Sequence, residues 1–107
     1  MSVTQKDTID AIGISPEGNE LVMLITDHLD WEDEYTHLMA LQDKLNAYFT
    51  FISSGQYKAS HPKARISAFN IRIAFMFKPS ENCLKLLDVA RKHAQKIKTQ
   101  ITIEVTG

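Results

Sequence analysis

The sequence predicts an α/β fold, a two-layer α+β sandwich with the element order ββαβαβ. Three observations carry that expectation. Residues 66–77 alternate, with Phe69, Ile71, Ile73, Phe75 and Phe77 against Ala68, Asn70, Arg72, Ala74 and Met76, which is the period of a strand with one apolar face. Residues 31–53 instead repeat apolar side chains at helical spacing: Trp31, Leu38, Leu41, Leu45, Tyr48, Phe49 and Ile52 fall within one stripe. Helical and extended stretches then alternate to the end of the chain. Strand–helix–strand crossovers are nearly always right-handed and make consecutive strands parallel. Two of them place both helices on one face of a four-stranded mixed sheet whose first strand is antiparallel.

Each element has its own justification. Residues 9–14 and Leu21–Ile25 are short apolar runs joined by Ser15-Pro16-Glu17-Gly18-Asn19, a stretch of turn-forming residues, so they read as a β-hairpin. The second run is apolar on both faces, as a central strand requires. Asp30 is placed as N-cap of the first helix, with Asp33 at the third position and Glu32 and Glu34 in the same turn, where carboxylates meet orphan N–H groups and oppose the dipole. Gly55 is its stop, giving a helix over 31–53 of about 35 Å. Residues 55–65 lack a period and read as a loop, longer than usual connections. Pro79-Ser80 ends the next strand and caps a second helix with the stripe Cys83, Leu86, Leu87, Ala90, Ala94 and Ile97; Arg91, Lys92, His93, Lys96 and Lys98 suit its negative end. Ile101, Ile103 and Val105 alternate with Thr102, Glu104 and Thr106 in a last one-sided strand. Without repeats or linkers, residues 1–107 are expected to form one domain with a loosely ordered N-terminus at 1–7.

The bulk properties narrow the function. A chain of 107 residues with 44% hydrophobic side chains supports one core without staples, and the single cysteine forms no internal disulfide. No apolar run approaches the roughly 18 residues of a membrane span, and the N-terminus lacks a signal-peptide core, so a cytoplasmic location is expected. Net charge is −1, which gives no general attraction to nucleic acid or membrane. Its distribution is uneven. Residues 1–43 hold ten acids and one base, and residues 44–107 hold eleven bases and three acids. Such a split either marks an interaction surface or is neutralised as the halves interleave.

Asp27, His28, Asp30, Glu34 and His37 form the one cluster of proton-handling or metal-ligating types. Asp33 and His37, four apart on a helix, could hold a divalent ion, but capping and helical pairing explain the same residues. No HExxH, cysteine set or glycine-rich phosphate loop accompanies them. Neither a metal nor a cofactor is therefore expected. Cys83, near a helix start, is a possible nucleophile, and its stripe position favours a core role. The loop Gln56–Arg65 offers Tyr57 and His61 with Lys58, Lys63 and Arg65, too few cations for more than weak nucleic-acid binding. Met39 and Phe51 lie off the apolar stripe on opposite flanks and suggest a second contact surface.

The run from Asp27-His28-Leu29-Asp30-Trp31 through His37-Leu38, Leu41-Gln42, Lys44 and Asn46 to Ser54-Gly55-Gln56 resembles a family of small bacterial proteins with no assigned function. The resemblance implies a bacterial, cytosolic protein. It brings no activity or substrate, and adds weight to the polar residues of this stretch. The resulting expectation is a non-enzymatic interaction module, a homodimer or the partner of another protein, with immunity- or antitoxin-like proteins as one instance. Its binding candidates are Gln42, Asn46, Gln56, Met39 and Phe51. The alternatives are a small metal-dependent or hydrolytic enzyme using the cluster Asp27, His28, Asp30, Glu34 and His37, with His28, Glu34 and His37 as catalytic candidates, and a weak nucleic-acid binder using residues 56–65.

Overall fold

Glu20–Asp27 alternates buried and half-buried residues along its whole length, because successive side chains of this inner strand point to opposite faces of a four-stranded sheet and one face meets the core. The structure, a computed structural model, describes residues 9–60, 62–63 and 65–106. The N-terminal stretch 1–7 and His61 lie outside the described residues. The elements are β1 (Ala11–Ile14), β2 (Glu20–Asp27), α1 (Glu34–Ser53), α2 (Tyr57–Ser60), β3 (Ala68–Phe75), α3 (Glu81–Gln95) and β4 (Thr99–Val105). The strands lie in the order β1-β2-β3-β4. β1 is antiparallel to β2, and β2, β3 and β4 are mutually parallel. The fold is thus the expected ββαβαβ sandwich, with one short extra helix.

Register assigns the two faces. Met23, Ile71 and Ile101 form one row across the sheet and Leu21 and Phe69 another. These side chains face α1 and α3 and bury against Leu41, Leu45, Tyr48, Phe49, Ile52, Cys83, Leu87 and Ala94. The opposite rows, Leu24-Arg72-Thr102 and Val22-Asn70-Gln100, form a mixed face with no helix over it among the described residues. Its polar groups satisfy one another: Thr102 Oγ1 donates to Asn70 Oδ1 at 3.0 Å, and Arg72 lies 3.9 Å from Glu104.

The structure departs from the sequence expectation at several points. The N-cap of α1 is Asp33, whose carboxylate accepts from Thr36 N (3.2 Å) and Thr36 Oγ1 (2.8 Å). Asp30 caps the preceding turn instead, accepting from Glu32 N at 3.1 Å. Trp31 is therefore outside the helix, which is 20 residues and about 30 Å long. Residues 55–65 include the short helix α2, entered through Gly55 at φ +76°, a left-handed conformation that glycine tolerates best. β3 ends at Phe75, two residues earlier than the alternation suggests: Met76 N makes the last ladder bond, to Asp27 O at 2.8 Å, and Phe77 is left exposed. Finally, the inner side of α1 is not wholly apolar: His37 and Lys44 are buried on it. Ser80 caps α3 as expected, accepting from Cys83 N.

Candidate functional site

The acidic and histidine cluster divides once folded. Asp27 ends β2 and His37 begins the second turn of α1, and both are buried. His37 Nε2 sits 2.6 Å and 2.7 Å from the two Asp27 oxygens, and its Nδ1 donates to the Asp30 carbonyl at 2.9 Å. Trp31 stacks on the imidazole, with ring centres 3.6 Å apart and planes inclined by 16°, while its indole N–H donates to Lys78 O at 2.8 Å. Asp27 also accepts from Leu29 N. Both imidazole nitrogens are engaged and one ring face is covered. A general base or metal ligand needs an accessible lone pair, and this ring presents none.

The other members point elsewhere. His28 and the Asp30 side chain are exposed. Glu34 accepts from Asn82 Nδ2 at 2.9 Å, tying the first turn of α1 to that of α3; hydrogen bonds from Asn82 and then Ser80 hold its carboxyl below the usual range. Asp33 is lowered by its Thr36 bonds. His37 thus pairs with Asp27 rather than with Asp33, the partner that helical spacing suggested. Among the described residues no three His, Cys, Asp or Glu side chains gather to hold a metal ion. Cys83 is fully buried, and burial, followed by the nearby carboxylates of Asp27 and Glu34, pushes its thiol up to about 12. A thiol held that high is no nucleophile near neutral pH.

A second buried network lies about two turns further along α1. Lys44 Nζ contacts Asp10 Oδ1 at 2.9 Å with both side chains nearly inaccessible. Asp10 Oδ2 accepts from Thr26 N at 3.0 Å. Tyr48 joins the same group: its hydroxyl accepts from Asp10 N at 2.9 Å and donates to Leu24 O at 2.5 Å. Burial pushes the Tyr48 phenol above its ordinary value, and the Asp10 charge adds to the shift. Neither network opens to solvent, so both read as fastenings between α1 and the sheet.

One accessible concavity lies between the helices, and another of about 380 Å³ lies on the helix-free sheet face beside Ile12, Leu24 and Arg72. A groove of about 390 Å³ runs between α1 and α3, lined by Gln42, Leu45, Asn46 and Phe49 on one side and Leu86, Val89, Ala90 and His93 on the other. It continues shallowly past Thr50, Ser53 and Ser54. Phe49 and His93 close its far end with ring centres 4.9 Å apart. The floor is apolar and the amides of Gln42 and Asn46 edge it. Val89 is 68% exposed, which makes it an outlying apolar residue on this rim.

Of the candidate binding residues, Gln42 and Asn46 therefore share one site. Met39 is exposed on the outer side of α1, Phe51 packs partly against the core on the opposite flank, and Gln56 sits in the turn after α1. The α3 wall was not singled out by sequence, although Leu86 and Ala90 were on its stripe. Val89 and His93 lie just off that stripe, which is where a groove-lining residue belongs when a second helix runs alongside.

These features define a small two-layer α/β domain with an open interhelical groove and no accessible catalytic constellation among the described residues. The chain belongs to a family of unknown function, DUF6572, whose model matches residues 1–107. No curated protein and no solved structure matches it. No helix among the described residues is long and apolar enough to cross a membrane.

Proposed function

We propose that this protein is a non-enzymatic interaction module that engages another protein chain through the outer face of its helical layer, centred on the α1–α3 groove. One observation carries the reading. The buried titratable side chains of α1 are committed to internal partners, whereas the groove leaves apolar floor and amide groups open to solvent. Apolar floor with a polar rim is the usual anatomy of a protein-binding surface. Tyr35, Met39 and Val89, all exposed, extend the apolar area along both helices.

The test uses a photo-activatable amino acid at position 89 in the full chain, with position 100 on the open sheet face as control. A discrete protein adduct from position 89 and none from position 100 is the expected result. Equal or absent labelling at both positions would overturn the proposal.

A further inference from the structure

The partner of the groove face follows from its charge, an inference that rests on the reading just given. We infer that the occupant is a second copy of this chain, docked about a two-fold axis running along the groove so that α1 of one copy lies over α3 of the other.

The argument begins with topology. Both helices return from parallel strands, so α1 and α3 run in the same direction across the sheet. They are opposite in charge. The exposed charges on and just before α1 are the acids Asp30, Glu32, Asp33 and Asp43, since its lysine, Lys44, is buried against Asp10. The outer side of α3 and the turn that follows it present the exposed bases Lys85, Lys92 and Lys96 and two exposed acids, Glu81 and Asp88, the latter 3.6 Å from Arg91, so that this helix is net basic rather than uniformly so. An isologous dimer requires a surface complementary to itself. Rotation about an axis parallel to the helices exchanges left and right while keeping height, and so brings the acidic ridge of one copy over the basic ridge of the other.

The heights agree. The Glu34–Asn82 hydrogen bond sets the first turns of the two helices level. Asp43 lies nine residues beyond Glu34, about 13 Å along the axis, and Lys92 lies ten beyond Asn82, about 15 Å. Asp43 therefore falls opposite Lys92 of the second copy, and the pre-helix acids fall nearest Lys85. Between these charges, Met39 of α1 comes within about 3 Å of the level of Val89, and Tyr35 lies about a turn below Met39, toward Leu86.

Size is consistent with this arrangement. A helix about 30 Å long beside one about 22 Å long, set about 10 Å apart, presents roughly 500 Å² in projection. A standard interface buries about 800 Å² of rougher accessible surface per partner, a small part of the 6466 Å² here. The open sheet face offers no such match, because Arg72 and Glu104 already face each other within one copy.

The experiment is sedimentation of the purified full chain across a concentration series, with charge-swap variants. The unaltered chain is expected to be a dimer. Asp43→Lys and Lys92→Asp, both exposed and away from the core, should each weaken self-association roughly tenfold or more while leaving thermal unfolding unchanged at concentrations low enough for the parent to be monomeric. Mixed one to one, the two variants should recover a dimer, because each interface half then regains an opposite-charge pair. A monomer at all concentrations, or variants that dimerise as well as the parent, would overturn the inference. Failure to recover on mixing would overturn the parallel two-fold geometry. If the chain is monomeric but position 89 still labels a different protein, the interaction module stands and the second copy does not.

Discussion

Two buried pairs fasten α1 to the sheet, and they differ in what they hold. Lys44–Asp10 reaches the edge: Asp10 precedes β1, a four-residue strand with one neighbour, and the pair adds bonds to Thr26 and, through Tyr48, to Leu24. His37–Asp27 closes the carboxyl end of β2, and Trp31 extends it to the β3–α3 connection at Lys78. The first pair secures a weak strand; the second gathers two loops. An edge strand this short gains little from its own ladder, so its attachment depends on the buried network. The loops at the sheet end have stacking and backbone bonds besides. Loss of the first pair should therefore cost more than loss of the second.

Lys44→Met gives the largest effect. It leaves the Asp10 carboxylate buried without its ammonium, and breaking such a pair typically costs about 3–5 kcal/mol. Denaturant unfolding should show that loss, and hydrogen exchange should show the β1 amides opening first. Adding Asp10→Asn, which keeps an acceptor for Thr26, should return most of the stability. A double variant no better than the single one would mean that packing of the lysine stem, not charge, is what matters at this site.

His37→Leu should cost less, about 2–3 kcal/mol, because Asp27 keeps the Leu29 N–H and lies where a rearranged loop can admit water. Exchange should quicken at residues 28–33 while β1 stays protected. Should the His37 variant prove the more damaging, or should β1 open in both, the division into edge and end fastenings fails.

The sequence showed the framework of this arrangement and hid its contents. Alternation in 68–75 and the helical stripe of α1 report which face meets the core, since burial of apolar area dominates both. The same angular count places His37 and Lys44 beside Leu41 and Tyr48, at spacings of three and four residues. The signal for their burial was therefore present. It is masked because charged side chains are rarely fully buried unless paired, and the partners lie 10 and 34 residues away. Helical spacing pointed to Asp33 for His37, but the capping of Thr36 had a stronger claim on that carboxylate. Gln42 and Asn46 were legible as polar residues on a flank. That they edge a groove was not, because its other wall is α3, whose placement beside α1 is a tertiary fact.

Alkaline pH gives the smallest effect and compares the two pairs within one molecule. Each has an acidic proton beside it that burial retains: the Cys83 thiol near Asp27 and the Tyr48 phenol on Asp10. Both groups are raised in the folded chain, so the stability they contribute is complete below their unfolded values and is lost as pH rises. For Cys83 the loss begins near 9, the ordinary thiol value, and runs toward about 12. For Tyr48 it begins only above 10. At pH 10 the cysteine contribution should be under about 1 kcal/mol once solvent screening is allowed for. Melting temperature followed from pH 8 to 11 should therefore fall in two stages. Cys83→Ala should flatten the earlier stage and Tyr48→Phe only the later one. With both pairs intact, Cys83 should also resist thiol reagents until the chain unfolds. If Cys83→Ala leaves the slope between pH 9 and 10 unchanged, burial at the sheet end is looser than at the edge, and the two fastenings differ in solvent access as well as in what they hold.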